Sequence, residues 1–113
     1  MWQYAVIVML ADDFGYGDLA AYGHPTQERG FIDSMAENGL RFTQWYSAES
    51  LCTPSRAALM TGRLPTRMGF PHGVFSPSKT DALPLTDPTV AEMLQPLGYS
   101  SGMVGKVCFT PIR

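Results

Sequence analysis

Apolar residues form three extended segments along the chain. Residues 4–10 are a continuous apolar run, YAVIVML, with several β-branched side chains. Such a run is typical of a strand covered on both faces of a parallel sheet. Residues 40–47 are rich in aromatic side chains and predict a second extended segment, and residues 99–107 predict a third.

Three further segments carry helical signals. Residues 31–38 place apolar side chains at 31, 32, 35 and 36, and Gly39 follows as a candidate C′ residue. Residues 54–61 predict a helix with Pro54 in its first turn and Gly62 at its end. Residues 89–97 predict a short helix, which Pro96 should end early.

Two segments between these elements predict irregular structure. Residues 12–23 hold three glycines and three aspartates, and residues 64–88 are rich in proline. Strands that alternate with helices predict an α/β fold with a mainly parallel sheet. Ligands bind such sheets beyond the carboxyl ends of the strands, and Asp12 and Asp13 lie at that point after the first predicted strand.

Composition narrows the class of protein. Of the 113 residues, 45% are apolar and 16% charged, which is a globular balance, and the formal net charge is −2. Without a basic run, neither a nucleic-acid surface nor a polybasic membrane anchor is expected. The run at 4–10 is too short for a membrane span and lacks the basic start of a signal peptide, so neither is predicted.

The most specific motif is LCTPSRAALMTGR at residues 51–63. It resembles the sulfatase signature, in which a cysteine is followed by proline two residues on and arginine four residues on. Here those positions are Cys52, Pro54 and Arg56. The resemblance implies that a formylglycine-generating enzyme oxidises Cys52 to formylglycine, the catalytic nucleophile, and that Arg56 stabilises the aldehyde hydrate.

The residue pattern fits that chemistry. A hydrated aldehyde offers one hydroxyl to attack the sulfur of a sulfate ester and a second to expel sulfate afterwards, which splits one difficult step into two. Cys52 lies at the start of a predicted helix, where backbone N–H groups and the helix dipole favour anionic oxygens. Arg56, one turn later, can reach the same place.

A second motif, ADDFGYGDL at residues 11–19, is similar to the metal-binding start of sulfatases. The resemblance implies that Asp12, Asp13 and the modified Cys52 bind calcium, with magnesium as the alternative. Adjacent carboxylates supply the oxygen ligands that hard cations prefer. Asp18 is interpreted as turn chemistry instead.

A third motif, residues 98–106, resembles the second sulfatase signature and places Lys106 on the lysine that contacts sulfate. The pattern then breaks, because Val107 and Cys108 stand where the family has tryptophan and its catalytic histidine. We therefore interpret residues 1–106 as a partial sulfatase domain and residues 107–113 as a non-family tail produced by a gene-model or splicing error.

The resemblance covers residues 6–106 and is closest to enzymes similar to arylsulfatase A. It implies the N-terminal section of an alkaline-phosphatase-like α/β domain, hydrolysis of a sulfate ester, and a lysosomal or secreted location. Full sulfatases are several times longer and take further metal ligands and catalytic residues from later in the chain. The isolated 113 residues are therefore expected to be inactive.

Several alternatives remain. An inactive fragment or a binding module is the non-enzymatic alternative, and phosphonate or phosphate ester hydrolases share the cysteine motif. Gly15, Gly17 and Ala20 fit a dinucleotide-binding fingerprint, G-x-G-x-x-A. The aspartates around those glycines would repel a pyrophosphate, which counts against nucleotide binding.

Overall fold

The computed structural model of the chain describes residues 4–69 and 83–106. The chain divides into two compact units, Met1–Trp45 and Tyr46–Arg113. Among the described residues, the first unit holds a 3₁₀ turn and one α-helix, α1, and the second holds α2, α3 and two further 3₁₀ turns. The 3₁₀ turns are Ala20–Tyr22, Pro65–Met68 and Gln95–Leu97, and the α-helices are α1 Phe31–Asn38, α2 Cys52–Thr61 and α3 Val90–Leu94.

Helix α1 has the bounds that its apolar spacing predicts. Gly30 precedes it in an extended conformation, and the Gly30 N–H donates to Oδ2 of Asp33 at 2.8 Å, which caps the first turn. Gly39 follows α1 directly, as predicted, but in an extended conformation rather than the left-handed one common at helix ends. An added Cβ at Gly39 would lie 3.0 Å from the Met35 carbonyl oxygen, and this close approach explains the glycine.

The first unit is held together by hydrogen bonds and ring contacts. The Tyr22 hydroxyl donates to the Phe42 carbonyl at 2.7 Å, and the Tyr22 ring lies 4.8 Å from that of Tyr16 between centroids. Phe42 and Trp45 form a second ring pair, with their centroids 4.9 Å apart. Aromatic pairs at these separations are favourable. The hydrogen bond from Tyr22 to Phe42 joins the predicted aromatic segment to the Ala20–Tyr22 turn.

The predicted parallel sheet is not formed by the residues that the structure describes. Residues 4–10, 40–47 and 99–106 contain no strand, and residue 107 lies outside the described ranges. An extended segment becomes a strand only when a neighbour pairs with its N–H and C=O groups. Here Val6, Ile7 and Met9 are 68%, 80% and 73% exposed, so the apolar run lacks the covering layers that its composition predicts.

The second unit has a small apolar core around α2. Ala57, Met68 and Leu83 are buried, and Met60 packs against them. Gly62 ends α2 with φ 69°, and its N–H donates to the Ala58 carbonyl at 2.8 Å. The predicted helix end at Gly62 is therefore confirmed, because only glycine adopts this left-handed conformation at little cost.

Helix α3 begins at a reciprocal cap. The Thr89 N–H donates to Oε2 of Glu92 at 2.8 Å, and the Glu92 N–H donates to the Thr89 hydroxyl at 3.3 Å. The α-helix covers five residues and continues as the Gln95–Leu97 turn, which contains Pro96. The early end predicted from Pro96 is confirmed, since proline cannot donate the helical N–H bond. Within the described ranges, none of the helices is both long and apolar enough to span a membrane.

Candidate active site

Cys52 is the first residue of α2, two residues ahead of the predicted start of this helix. Leu51 before it is extended, with φ −104° and ψ 152°. The thiol is half-buried and forms no disulfide, while the neighbouring Thr53 is only 1% exposed. The predicted placement of Cys52 at a helix start is therefore confirmed.

Pro54 explains why α2 can begin at the cysteine. It is the third helical residue, in the turn where backbone N–H groups have no carbonyl of the same helix to bond. The first helical hydrogen bond runs from the Ser55 N–H to the Leu51 carbonyl at 3.2 Å. Because proline has no N–H, the first-turn donors come from Cys52 and Thr53, at the positive end of the helix dipole.

Arg56 connects α2 to the 98–106 motif. It lies four residues after Cys52 in α2, which places the two side chains on the same face. Its guanidinium Nη1 donates to the backbone carbonyl of Lys106 at 3.3 Å. Gly105, with φ 121°, makes the turn that leads into Lys106. The start of α2 and the 98–106 motif thus meet at Arg56.

The Thr-Gly-Arg end of the cysteine motif has a structural role. The Thr61 hydroxyl donates to the Ala57 carbonyl at 2.8 Å and accepts from the Arg63 N–H at 3.3 Å. The Arg63 guanidinium forms an ion pair with the buried carboxylate of Asp87. Sequence reasoning missed Asp87, because an aspartate before a proline is usually turn chemistry. Arg63 consequently ties the end of α2 to the segment ahead of α3.

Asp12 and Asp13 belong to the first unit, and Cys52 belongs to the second. Both aspartates are exposed, and Asp13 has φ 54°, a left-handed conformation that aspartate tolerates better than most residues. Two consecutive carboxylates fit the ligand chemistry of a hard cation. Across residues 4–69 and 83–106, no three or more His, Cys, Asp or Glu side chains gather around one point. The metal assignment of Asp12, Asp13 and Cys52 therefore stays a prediction.

The glycine loop after these aspartates is closed by Asp18. Its Oδ2 accepts the Gly15 N–H at 2.6 Å, which agrees with its interpretation as turn chemistry. The Gly15 N–H, which a pyrophosphate would need as a hydrogen-bond donor, is thus already bonded to a carboxylate. The loop leads only into the three-residue turn Ala20–Tyr22, not into a longer helix. Dinucleotide binding needs free loop donors and a longer helix, so this loop does not fit it.

His24 also serves a turn. Its Nδ1 accepts the backbone N–H of Gln27 at 2.9 Å, with that of Thr26 at 3.3 Å. His24 is therefore a loop residue that stabilises its own turn. His72, Val107 and Cys108 lie outside the described residues.

Comparison with known proteins defines the class. The sulfatase family model matches residues 5–113, nearly the whole chain. The chain therefore belongs to the sulfatase family. The match continues through residues 107–113, and the interpretation of those residues as a non-family tail stays a prediction.

Individual relatives agree with the family. Arylsulfatase A of Homo sapiens is 55% identical over 101 residues, which is 89% of this chain and 20% of the relative. Arylsulfatase of Hemicentrotus pulcherrimus is 53% identical over 103 residues, 89% of this chain and 19% of the relative. N-acetylgalactosamine-6-sulfatase of Homo sapiens is 43% identical over 108 residues, 89% of this chain and 21% of the relative. The chain spans about a fifth of the length of these curated relatives.

Proposed function

We propose that this chain forms part of an arylsulfatase-type sulfuric ester hydrolase, with Cys52 as the precursor of its nucleophile. The observation that carries the proposal is the position of Cys52 on the first residue of α2, with Arg56 on the same face and bonded to the Lys106 carbonyl. Two separate stretches that resemble sulfatase motifs thereby meet at Arg56, which supports the proposal. Family membership and the names of the relatives support the same reaction class.

The nucleophile in this proposal is a formylglycine made from Cys52. A formylglycine-generating enzyme oxidises Cβ to an aldehyde: oxygen replaces the thiol sulfur, which leaves as hydrogen sulfide, and molecular oxygen accepts the electrons. Water then adds to the aldehyde to give two hydroxyls on one carbon. The partial exposure of Cys52 and its place beside an extended residue, Leu51, would let a modifying enzyme reach it.

Hydrolysis then proceeds in two steps. One hydroxyl attacks sulfur, the bond from sulfur to the substrate's alcohol oxygen breaks, and the alcohol leaves with a proton. The second hydroxyl loses its proton, the aldehyde C=O re-forms, and the bond from that carbon to the sulfate oxygen breaks. Covalent catalysis of this kind avoids direct attack of water on an anionic ester.

Residues of this chain would stabilise the negative charge that develops on oxygen atoms in these steps. The first-turn N–H groups at Cys52 and Thr53 lie at the positive end of α2, where sulfate oxygens are stabilised. In the proposal Arg56 stabilises the aldehyde hydrate and Lys106 contacts the sulfate. A guanidinium and an ammonium suit these roles, since both favour oxyanions.

A calcium ion, or magnesium in its place, completes the proposal. Asp12, Asp13 and the modified Cys52 would hold it, and when bound it polarises sulfate oxygens as a Lewis acid. The two exposed, consecutive carboxylates support a hard cation rather than zinc or copper, which prefer softer ligands. The partners are therefore a sulfate ester and the formylglycine-generating enzyme, and the expected location is lysosomal or secreted.

Mass spectrometry of the peptide that contains Cys52 tests the central step. After co-expression with a formylglycine-generating enzyme, the peptide should exchange sulfur and two hydrogens for one oxygen. Cys52→Ser is the matched control and should show no conversion, and Pro54→Ala with Arg56→Ala should lower the yield. An unmodified thiol in every sample would contradict the proposal.

Activity of the isolated 113 residues is a separate question, and we expect none. The observation that favours an inactive fragment is the exposure of apolar side chains that a complete domain would cover, including Ile7, Phe31 and Leu40 at 79–81%. Hydrolysis of an aryl sulfate by the purified chain would contradict this expectation. Turnover of sulfate and phosphate monoesters by a full-length relative carrying this segment would separate a sulfatase from a phosphate or phosphonate ester hydrolase.

A further inference from the structure

Asp33 is a buried carboxylate with two separate partners. It lies in the first turn of α1 and is only 1% exposed. Its Oδ2 accepts the N–H of Gly30 at 2.8 Å, which caps its own helix. Its Oδ1 accepts the N–H of Ala21 at 2.7 Å, twelve residues earlier in the chain. Capping explains the first bond but not the second.

Both backbone polar groups of Ala21 bond to charged side chains. While its N–H donates to Asp33, its carbonyl accepts from the Arg41 guanidinium. Arg41 also lies over the Tyr22 ring, with its guanidinium carbon 5.7 Å from the ring centroid. Two charged side chains from different segments therefore fix the 3₁₀ turn Ala20–Tyr22.

This turn is coupled to the Asp12–Asp13 pair through a short, closed loop. Between Asp13 and Ala20 lie six residues, and Asp18 closes four of them by bonding Gly15 through its side chain and its backbone. The backbone N–H groups of Tyr22 and His24 both donate to the Leu19 carbonyl, at 3.0 and 3.1 Å. Asp13, directly before this loop, has a left-handed φ of 54°, so its backbone conformation reports on how the loop is held.

We infer that Asp33 is a positioning residue for the Asp12–Asp13 carboxylate pair, which it orients toward a divalent cation by clamping the Ala20–Tyr22 turn. The inference rests on the proposed function in taking that pair as a cation site. The N–H groups of Gly30 and Ala21 hold the pKa of Asp33 below its ordinary value, so both bonds are charge-assisted. Residues that orient metal ligands without touching the metal act in this way.

The substitution Asp33→Asn in the 113-residue chain tests the inference. Asparagine keeps the size, but it offers one acceptor oxygen and directs an NH₂ group at the second N–H donor. The NMR coupling between the amide proton and Hα of Asp13 reports its φ, which is 54° in the unsubstituted chain, and this coupling should change. Amide exchange should accelerate at Gly15 and Ala21. In a titration with calcium alone, affinity should fall roughly 10-fold or more.

Two control variants separate positioning from general destabilisation. Glu37→Gln removes an exposed carboxylate from the same helix, and Tyr22→Phe removes the bond to the Phe42 carbonyl without touching Ala21. Both should keep the Asp13 coupling and the calcium affinity of the unsubstituted chain. A loss of the Asp13 coupling in Tyr22→Phe equal to that in Asp33→Asn would overturn the inference.

Arg41→Gln tests the positioning role of the clamped turn if Asp33→Asn does not fold. It releases the Ala21 carbonyl while Asp33 stays in place, so the Asp13 coupling should change in the same direction. An unchanged coupling in a folded Asp33→Asn chain, or in Arg41→Gln when the former is unfolded, overturns the inference. If Asp12→Asn with Asp13→Asn leaves calcium binding unaltered, the cation site of the proposed function fails instead, while the NMR result still decides the positioning role.

Discussion

The carboxylate of Asp87 and the guanidinium of Arg63 form an ion pair across 24 residues of sequence. The Asp87 side chain is 5% exposed and that of Arg63 is 57% exposed. The pair joins the residue that ends the cysteine motif to the turn in which the Asp87 N–H donates to the Pro84 carbonyl at 3.0 Å. Arg63, at the end of the motif, therefore stabilises the second unit, while Cys52, at its start, is the proposed nucleophile precursor.

Arg63→Met should destabilise the second unit, because it leaves the buried Asp87 carboxylate without its cation. We expect a loss of about 1–3 kcal/mol in the free energy of unfolding, toward the lower end since Arg63 is solvent-accessible. Urea unfolding measures it, and Arg67→Met, an exposed arginine in the next turn, is the matched control. Equal losses in both variants would show that the ion pair contributes nothing.

The reciprocal cap of α3 gives a second stability prediction. Thr89→Ala removes the acceptor for the Glu92 N–H and should cost about 0.5–2 kcal/mol. Amide exchange in Val90–Leu94 should accelerate, because the first turn of this short helix loses its cap. Ser100→Ala, at an exposed position after the helix, is the control and should leave that exchange unchanged. A helix α3 with equal protection in both variants would contradict the prediction.

The stability of the first unit should fall in acid because of Asp33. Hydrogen bonds from Gly30 and Ala21 lower its pKa in the folded chain from the ordinary value of 3.8. A group whose pKa is lower when folded contributes its full stability above the unfolded value and loses it as the pH falls through the folded value. Unfolding free energy should therefore decline below pH 3.8 in the unsubstituted chain.

Asp33→Asn checks this assignment, because it removes the titrating group. Its unfolding free energy, measured by chemical denaturation from neutral pH to below pH 3.8, should start lower and lose less stability in acid. Glu37→Gln, which removes an exposed carboxylate, should follow the unsubstituted curve. An acid decline of the same size in Asp33→Asn would assign it to other carboxylates.

Local signals along the sequence were sufficient for the helices. Helical spacing gave α1 its bounds, and the left-handed end of α2 follows from Gly62, since backbone sterics act within a few residues. Pro96 likewise ends α3 for a reason internal to that segment. The helix in the cysteine motif was predicted from Pro54 for the same reason, although α2 begins at Cys52, two residues before the predicted start.

Features that depend on distant partners were not predictable. The run at 4–10 has strand composition, but pairing needs a neighbour, and the described residues provide none. The contacts from Asp33 to Ala21 and from Asp87 to Arg63 span 12 and 24 residues, and no local pattern marks either aspartate for its partner. Gly39 was predicted from its position after a helix, yet the structure uses it for close approach to the Met35 carbonyl.

The contact between Arg56 and Lys106 leads to the last prediction. Replacing Arg56 with methionine removes the donor at 3.3 Å from the Lys106 carbonyl, so the ¹³C shift of that carbonyl should move upfield toward its solvated value. Arg56→Lys should give an intermediate result, because an ammonium keeps the charge but lacks the planar guanidinium fork. Arg67→Met again serves as the control and should leave the Lys106 carbonyl shift unchanged. If Arg56→Met also leaves that shift unchanged, the two sulfatase motifs do not meet at Arg56, and the geometric support for the proposed nucleophile site is lost.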